Sequence, residues 1–183
     1  MINNNIHTNI SWNVIHSMFK ENSNLFVEHH ISSYNSFFSS NIKNIFKDNN
    51  PSILNKQYND KTGDYNLKCD LYFGGKDNSK IYYGKPTIYD DDQYPHLIFP
   101  NEARLKNKTY GFNIYYDIDV ILKIYKPDKD SYDIEEITLS KICLGKFPIM
   151  LKSNLCILNK LTPNACYNLG ECINDKGGYF IID

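Results

Sequence analysis

From Phe112 to Ile124 the chain sets Phe112, Ile114, Tyr116, Ile118, Val120, Leu122 and Ile124 at every second position, thirteen residues of unbroken period two. Only an extended backbone sends alternate side chains to one face, so a long strand with an apolar side is required. Lys126-Pro127-Asp128-Lys129-Asp130 then turns the chain, and Ile134 to Leu144 supplies a β-rich return that is expected to pair antiparallel with it. An earlier alternation of Leu67, Cys69, Leu71 and Phe73 runs into Gly74-Gly75-Lys76-Asp77-Asn78 and a short run at Ile81-Tyr82-Tyr83, which predicts a hairpin.

Before residue 60 the period is different. Ser11 reads as an N-cap ahead of Trp12, Ile15 and Phe19, a short amphipathic helix. Val27, Ile31, Tyr34, Phe38, Ile42 and Ile45 follow at steps of three and four and predict a longer helix with one apolar stripe, stopped at Asp48-Asn49-Asn50-Pro51. Near the end, Thr162-Pro163 reads as an N-cap with proline at the first helical position, and Leu169-Gly170 as the stop. The expected class is therefore α+β: N-terminal helices packed on a largely antiparallel sheet, with residues 1–60 mainly helical and 61–183 mainly β. No repeat or linker divides the 183 residues into two domains. Gly177-Gly178-Tyr179-Phe180-Ile181-Ile182-Asp183 reads as a turn entering an apolar β run, at which the sequence stops. That pattern suggests the front part of a longer polypeptide.

Composition narrows the function classes. Twenty basic against twenty-one acidic residues give a net charge of −1, so nucleic-acid binding would need a local patch. A 14% aromatic share argues against disorder. No stretch approaches the ~20 apolar residues of a membrane helix, and Met1-Ile2-Asn3-Asn4-Asn5 has no signal-peptide pattern; an intracellular location with reduced thiols is expected. Cys69, Cys143, Cys156, Cys166 and Cys172 form no Cys-x-x-Cys pair and are expected to be thiols, the last three buried. His29-His30 diverge by about 100° on a helix and do not chelate one ion; one half-buried and one exposed ring is expected. Asp90-Asp91-Asp92 offers carboxylates to a hard cation, the arrangement a small metal-dependent nuclease would use, yet acidic loop runs are mostly solvated. No nucleophile elbow and no phosphate-binding glycine loop occurs.

One basic stretch stands apart: Glu102-Ala103-Arg104-Leu105-Lys106-Asn107-Lys108-Thr109-Tyr110. In an extended chain Arg104, Lys106 and Lys108 would share a face at about 6.8 Å spacing, near the repeat of phosphates along one strand. The same cations would equally guard an edge strand. In a helix, Glu102 would instead pair with Lys106.

That stretch resembles the Glu-Ala-Arg-Leu-Arg-Asn-x-Thr-Tyr motif of the second-largest subunit of multisubunit DNA-directed RNA polymerases. Leu144-Gly145-Lys146-Phe147-Pro148-Ile149-Met150-Leu151-Lys152-Ser153 resembles that family's Gly-Lys-Val-Pro-Ile-Met-Leu-Arg-Ser. Glu171-Cys172 with Asp175-x-Gly177-Gly178-Tyr179-Phe180-Ile181-Ile182 resembles its Glu-Cys-x-x-Asp-x-Gly-Gly-Tyr-Phe-Ile-Ile segment. Leu25-Phe26-Val27-Glu28-His29-His30-Ile31-Ser32-Ser33-Tyr34-Asn35 is similar to its opening helix. Four blocks in order cover nearly the whole chain, closer to the eukaryotic, archaeal and large-DNA-virus type than to the bacterial one. Gly63 to Pro100 carries none of these four blocks.

The resemblance implies the N-terminal part of that subunit, mainly its protrusion domain, which forms a wall of the DNA cleft; the lobe and later domains are absent. It implies DNA-templated transcription, with the largest subunit, other polymerase subunits and the DNA template as partners and no membrane. Arg104, Lys106 and Lys108 are the expected DNA-backbone contacts. The whole polymerase uses Mg2+, held chiefly by the largest subunit, and this segment is expected to carry no catalytic residue, metal or cofactor. The location implied is the nucleus in a cell, or the virion or cytoplasmic factory of a virus. The alternative is a free-standing, non-enzymatic interaction module derived from a polymerase fragment.

Overall fold

A computed structural model of the chain describes residues 3–60, 63–89, 92–126 and 131–183. Five α-helices occur among them: α1 (Asn3–Glu21), α2 (Glu28–Ser36), α3 (Ile42–Asn49), α4 (Pro100–Leu105) and α5 (Pro163–Asn168). The strands are β1 (Ser52–Asn59), β2 (Asp64–Phe73), β3 (Ile81–Tyr83), β4 (Thr87–Tyr89), β5 (Pro95–Leu97), β6 (Gly111–Lys126) and β7 (Ser131–Pro148). The class is α+β, as the periodicities require, and the elements fall into two compact units.

The first unit comprises residues 36–149 and 181–183. Its axis is β6, which extends the alternating run of the sequence at both ends. β7 pairs antiparallel with it from Gly111 opposite Pro148 to Lys126 opposite Ser131. The turn residues 127–130 lie outside the described residues. On the other side β2 pairs antiparallel with β6, and β1 with β2. β1 carries little alternation and was not legible in the sequence.

The expected β2–β3 hairpin is not formed. Phe73 stands opposite Ile118 and Ile81 opposite Tyr116, so β2 and β3 both run antiparallel to β6 and lie end to end along one edge. Residues between them loop out and return. Gly74 N–H donates to the Asp117 carbonyl (2.8 Å), Asp117 N–H to Lys80 (3.1 Å) and Lys80 N–H back to Gly74 (2.9 Å). Gly74 and Gly75 supply the φ of +73° and +82° that this loop needs. Asn50 clamps the same point: its side-chain oxygen accepts from Phe73 N–H (2.8 Å) and its amide donates to the Phe73 carbonyl (2.7 Å).

The long helical stripe forms with one change of phase. Phe37–Asn41 is a wide π turn, in which Ile42 N–H donates to the carbonyl five residues back, at Phe37. The Phe38 carbonyl accepts from the Tyr83 phenol (2.9 Å), while the Phe38 ring meets Tyr83, Phe112 and Phe147 at centroid distances of 5.9, 5.5 and 6.3 Å. The extra residue rotates the next helical turns about their axis. Ile42 is buried, but Ile45, expected on the stripe, is 50% exposed, and Phe46 takes its place against Tyr116 at 5.5 Å. Beyond this aromatic cluster the same sheet face continues through Val120 and its register partners Leu71 and Ile137, and Ile137 is 47% exposed.

The second unit comprises residues 1–35 and 150–180. α1 starts well before Ser11, which lies inside the helix rather than capping it; no proline or glycine interrupts the run from Asn3. Trp12 is 67% exposed. Leu151, Cys156, Leu158 and Cys166 form this unit's core. α5 is capped as expected: Thr162 Oγ1 accepts from Ala165 N–H (3.3 Å), with Pro163 at the first position. The terminal apolar run forms no strand; it exchanges two bonds with one residue, Gly178 N–H to the Leu151 carbonyl and Leu151 N–H to Tyr179, both 3.0 Å. His29 and His30 are both exposed with rings 3.9 Å apart, not one half-buried. Cys156 and Cys166 are buried as expected, whereas Cys172 is exposed.

Candidate nucleic-acid interface

The basic stretch is not extended. Pro100 occupies the first turn of α4, where its missing N–H costs nothing and its fixed φ suits the helix. Ala103 is fully buried. The helix ends in a Schellman motif: Asn107 adopts φ +48°, its N–H donates to the Arg104 carbonyl (3.4 Å), and Lys108 N–H donates to Ala103 (2.9 Å). The signal was present in the sequence, a proline–glutamate first turn and a left-handed-tolerant asparagine after the last apolar residue. It was masked by the short length of the helix.

The consequence is that Arg104, Lys106 and Lys108 do not form a linear stripe of alternate residues, nor a guarded edge strand. Lys106 Nζ pairs with Glu102 Oε1 at 2.8 Å, the helical alternative, and His96 Nε2 lies 3.3 Å from the same oxygen. Lys106 holds the Glu102 carboxyl below the usual range against the opposing effect of burial, and His96 adds a lesser lowering. Arg104 and Lys108 line one cleft of about 270 Å3 together with Asn107 and residues 181–183. The chain is tied there by Tyr110 N–H to the Ile181 carbonyl (3.0 Å) and Ile149 N–H to Tyr110 (2.9 Å).

Lys108 also lines a second groove, of about 360 Å3, whose walls bring in Lys85 and Lys146. Sequence reasoning passed over both. Lys85 and Lys146 each follow a glycine and precede a proline within two residues, but they lie far apart along the chain and meet only through the sheet. Gly84 N–H donates to the Asn113 carbonyl (2.9 Å), and Asn113 stands opposite Lys146 in the β6–β7 ladder. All three lysines are exposed.

Of the acidic loop, Asp90 and Asp91 lie outside the described residues, and Asp92 is exposed. Among the described residues no group of three or more His, Cys, Asp or Glu side chains gathers where a metal ion would fit. No helix among them is long and apolar enough to cross a membrane.

Comparison with known proteins places these features in a wider set. The family model described as RNA polymerase beta subunit matches residues 25–183. The DNA-directed RNA polymerase II subunit RPB2 of Eremothecium gossypii is 32% identical over 94% of this chain. The probable RPB2 homolog of Invertebrate iridescent virus 6 is 32% identical over 86% of it, and subunit Rpo2N of Methanothermobacter thermautotrophicus 30% identical over 94%. The chain spans 14%, 13% and 28% of those three relatives, respectively.

Proposed function

The chain belongs to the family of second-largest subunits of multisubunit RNA polymerases, and from that premise we propose that it works in DNA-templated transcription as the N-terminal, protrusion-domain part of such a subunit. In this reading it forms a wall of the DNA cleft and packs on other subunits, including the largest. Its relatives are subunits of a nucleotidyltransferase; the segment itself contributes positioning, not bond making. The catalytic Mg2+ belongs to the whole polymerase and is held elsewhere. The location is the nucleus in a cell, or the virion or cytoplasmic factory of a virus.

The observation that carries the reading is the collinear match over residues 25–183. The folding of the motif blocks against one another supports it. Asn35 of the first block accepts from Asn154 N–H (2.9 Å) just after the third, and Leu151 of the third bonds Gly178 and Tyr179 of the fourth.

Arg104, Lys106 and Lys108 are the proposed contacts to the DNA backbone, without sequence readout. The test is an Arg104→Ala/Lys106→Ala/Lys108→Ala variant in the native assembly that contains this chain. Affinity for duplex DNA falls, equally for unrelated sequences, and RNA synthesis co-purifies with the chain. A chain that purifies alone, with no RNA-synthesising activity, overturns the polymerase reading. Unchanged DNA affinity and salt dependence remove the three residues from the DNA path.

A further inference from the structure

We propose that the groove formed by β4, the loop after α4 and the paired ends of β6 and β7 is a binding site for a backbone phosphate of a polynucleotide, held by Lys85, Lys108 and Lys146. The proposal rests on the polymerase reading and adds to it two cations, from separate parts of the chain, that the basic motif does not contain.

Lys68, Lys76, Lys80, Lys106, Lys123 and Lys126 each pair with a described carboxylate. Others, among them Lys43, Lys47 and Lys160, have no ion-pair partner among the described residues, so the gathering of three lysines in one groove is the distinctive feature. Among the described residues the groove lining holds three lysines and no acidic side chain. Among the described residues no carboxylate lies within ion-pair distance of any of the three. Three like charges lining one concavity raise the positive potential there, and an anion entering it relieves that.

The lysines are also held from rigid backbone. Lys85 follows Gly84, which is bonded to β6, and a Cβ at Gly84 would approach the Asn113 carbonyl to 3.0 Å. Lys108 is fixed by its Schellman bond to Ala103. Lys146 sits one residue from Phe147, whose carbonyl would lie 2.5 Å from any Cβ added at Gly111 in the groove wall. Thr87 and Asn113 add neutral polar groups to the lining. Three ammonium groups of this kind suit a tetrahedral phosphate, each acting as a point charge, and give affinity without base selection. The same chemistry would accept a free phosphate, so the source must be tested.

The decisive measurement uses the native assembly containing this chain, with Lys85→Ala/Lys108→Ala/Lys146→Ala compared with Lys43→Ala/Lys47→Ala/Lys160→Ala as a charge-matched control. Filter binding of duplex and single-stranded DNA is read against salt, and competition is read with inorganic phosphate and pyrophosphate. The slope of log affinity on log salt is expected to become shallower by about one in the groove variant, because one phosphate is neutralised there, and to stay at the wild-type value in the control. The corresponding three arginine substitutions restore the slope, because charge is retained. Inorganic phosphate is expected not to compete at millimolar concentration. Loss of phosphate or pyrophosphate competition without any change in DNA slope overturns the backbone assignment in favour of a free-phosphate site. An unchanged slope with no phosphate effect overturns the site altogether. Both readouts are independent of RNA synthesis, so failure of the polymerase reading shows separately as an assembly without that activity.

Discussion

At the scale of single residues, the end of α4 is decided by one backbone angle. Asn107 holds φ +48°, a region where a Cβ meets the following carbonyl and where glycine or asparagine is tolerated best. Its neighbours Arg104 and Lys108 are aimed into their cleft by that turn. Asn107→Gly is expected to leave stability within about 0.5 kcal/mol of the parent, and Asn107→Val to cost about 1–2 kcal/mol, with weaker DNA binding as the turn unwinds. Urea midpoints of the two variants check this. Equal midpoints would mean that the Schellman turn does not hold the segment.

Among elements, the π turn is the departure with most consequence. It inserts one residue into a regular stripe, and the inserted residue transfers burial from Ile45 to Phe46 while Phe38 and Ile42 keep theirs. Phe46→Ala should therefore be the costly substitution, on the order of 2–3 kcal/mol for a half-buried aromatic, and Ile45→Ala should cost under about 0.5 kcal/mol. Chemical denaturation of both variants decides it. A regular helix would reverse the order. The looped-out segment between β2 and β3 is a second case of the same kind, since two glycines and a break in alternation suit a hairpin equally well. The choice between them lies in Asp117, whose backbone accepts and donates across the loop, and whose side chain accepts from Lys141 N–H at 2.8 Å on the opposite strand.

For the whole molecule, carboxylates on the sheet and on α4 set the response to acid. Lys80, with Thr138 and the Lys76 amide, holds Asp119 below the usual carboxylate range; Lys68 does so for Asp64 and Lys106 for Glu102. A lowered carboxyl pKa contributes stability that is complete above the ordinary value near about 4 and is lost as pH falls through the lowered one. Stability should accordingly hold at neutral pH and fall in acid. The gap between the wild type and Asp119→Asn, open at pH 6, should narrow steadily toward pH 2. Denaturant titrations across that range test the sign. A gap that stayed constant would show that ionisation of Asp119 plays no part.

What the amino-acid order determined by itself was whatever depends on local geometry or on linear sequence. The period-two run made β6, the Thr162-Pro163 pair capped α5, and four ordered motif blocks carried the family. Those properties survive in a single segment read alone. Tertiary structure decided the rest. Lys85 and Lys146 line one groove only because β6 carries the neighbours of both, Phe46 replaces Ile45 only because Phe38 packs among Tyr83, Phe112 and Phe147, and α4 is too short to be told from a strand by period. In each case the cause is a contact across many residues of sequence, whose energy no local propensity contains.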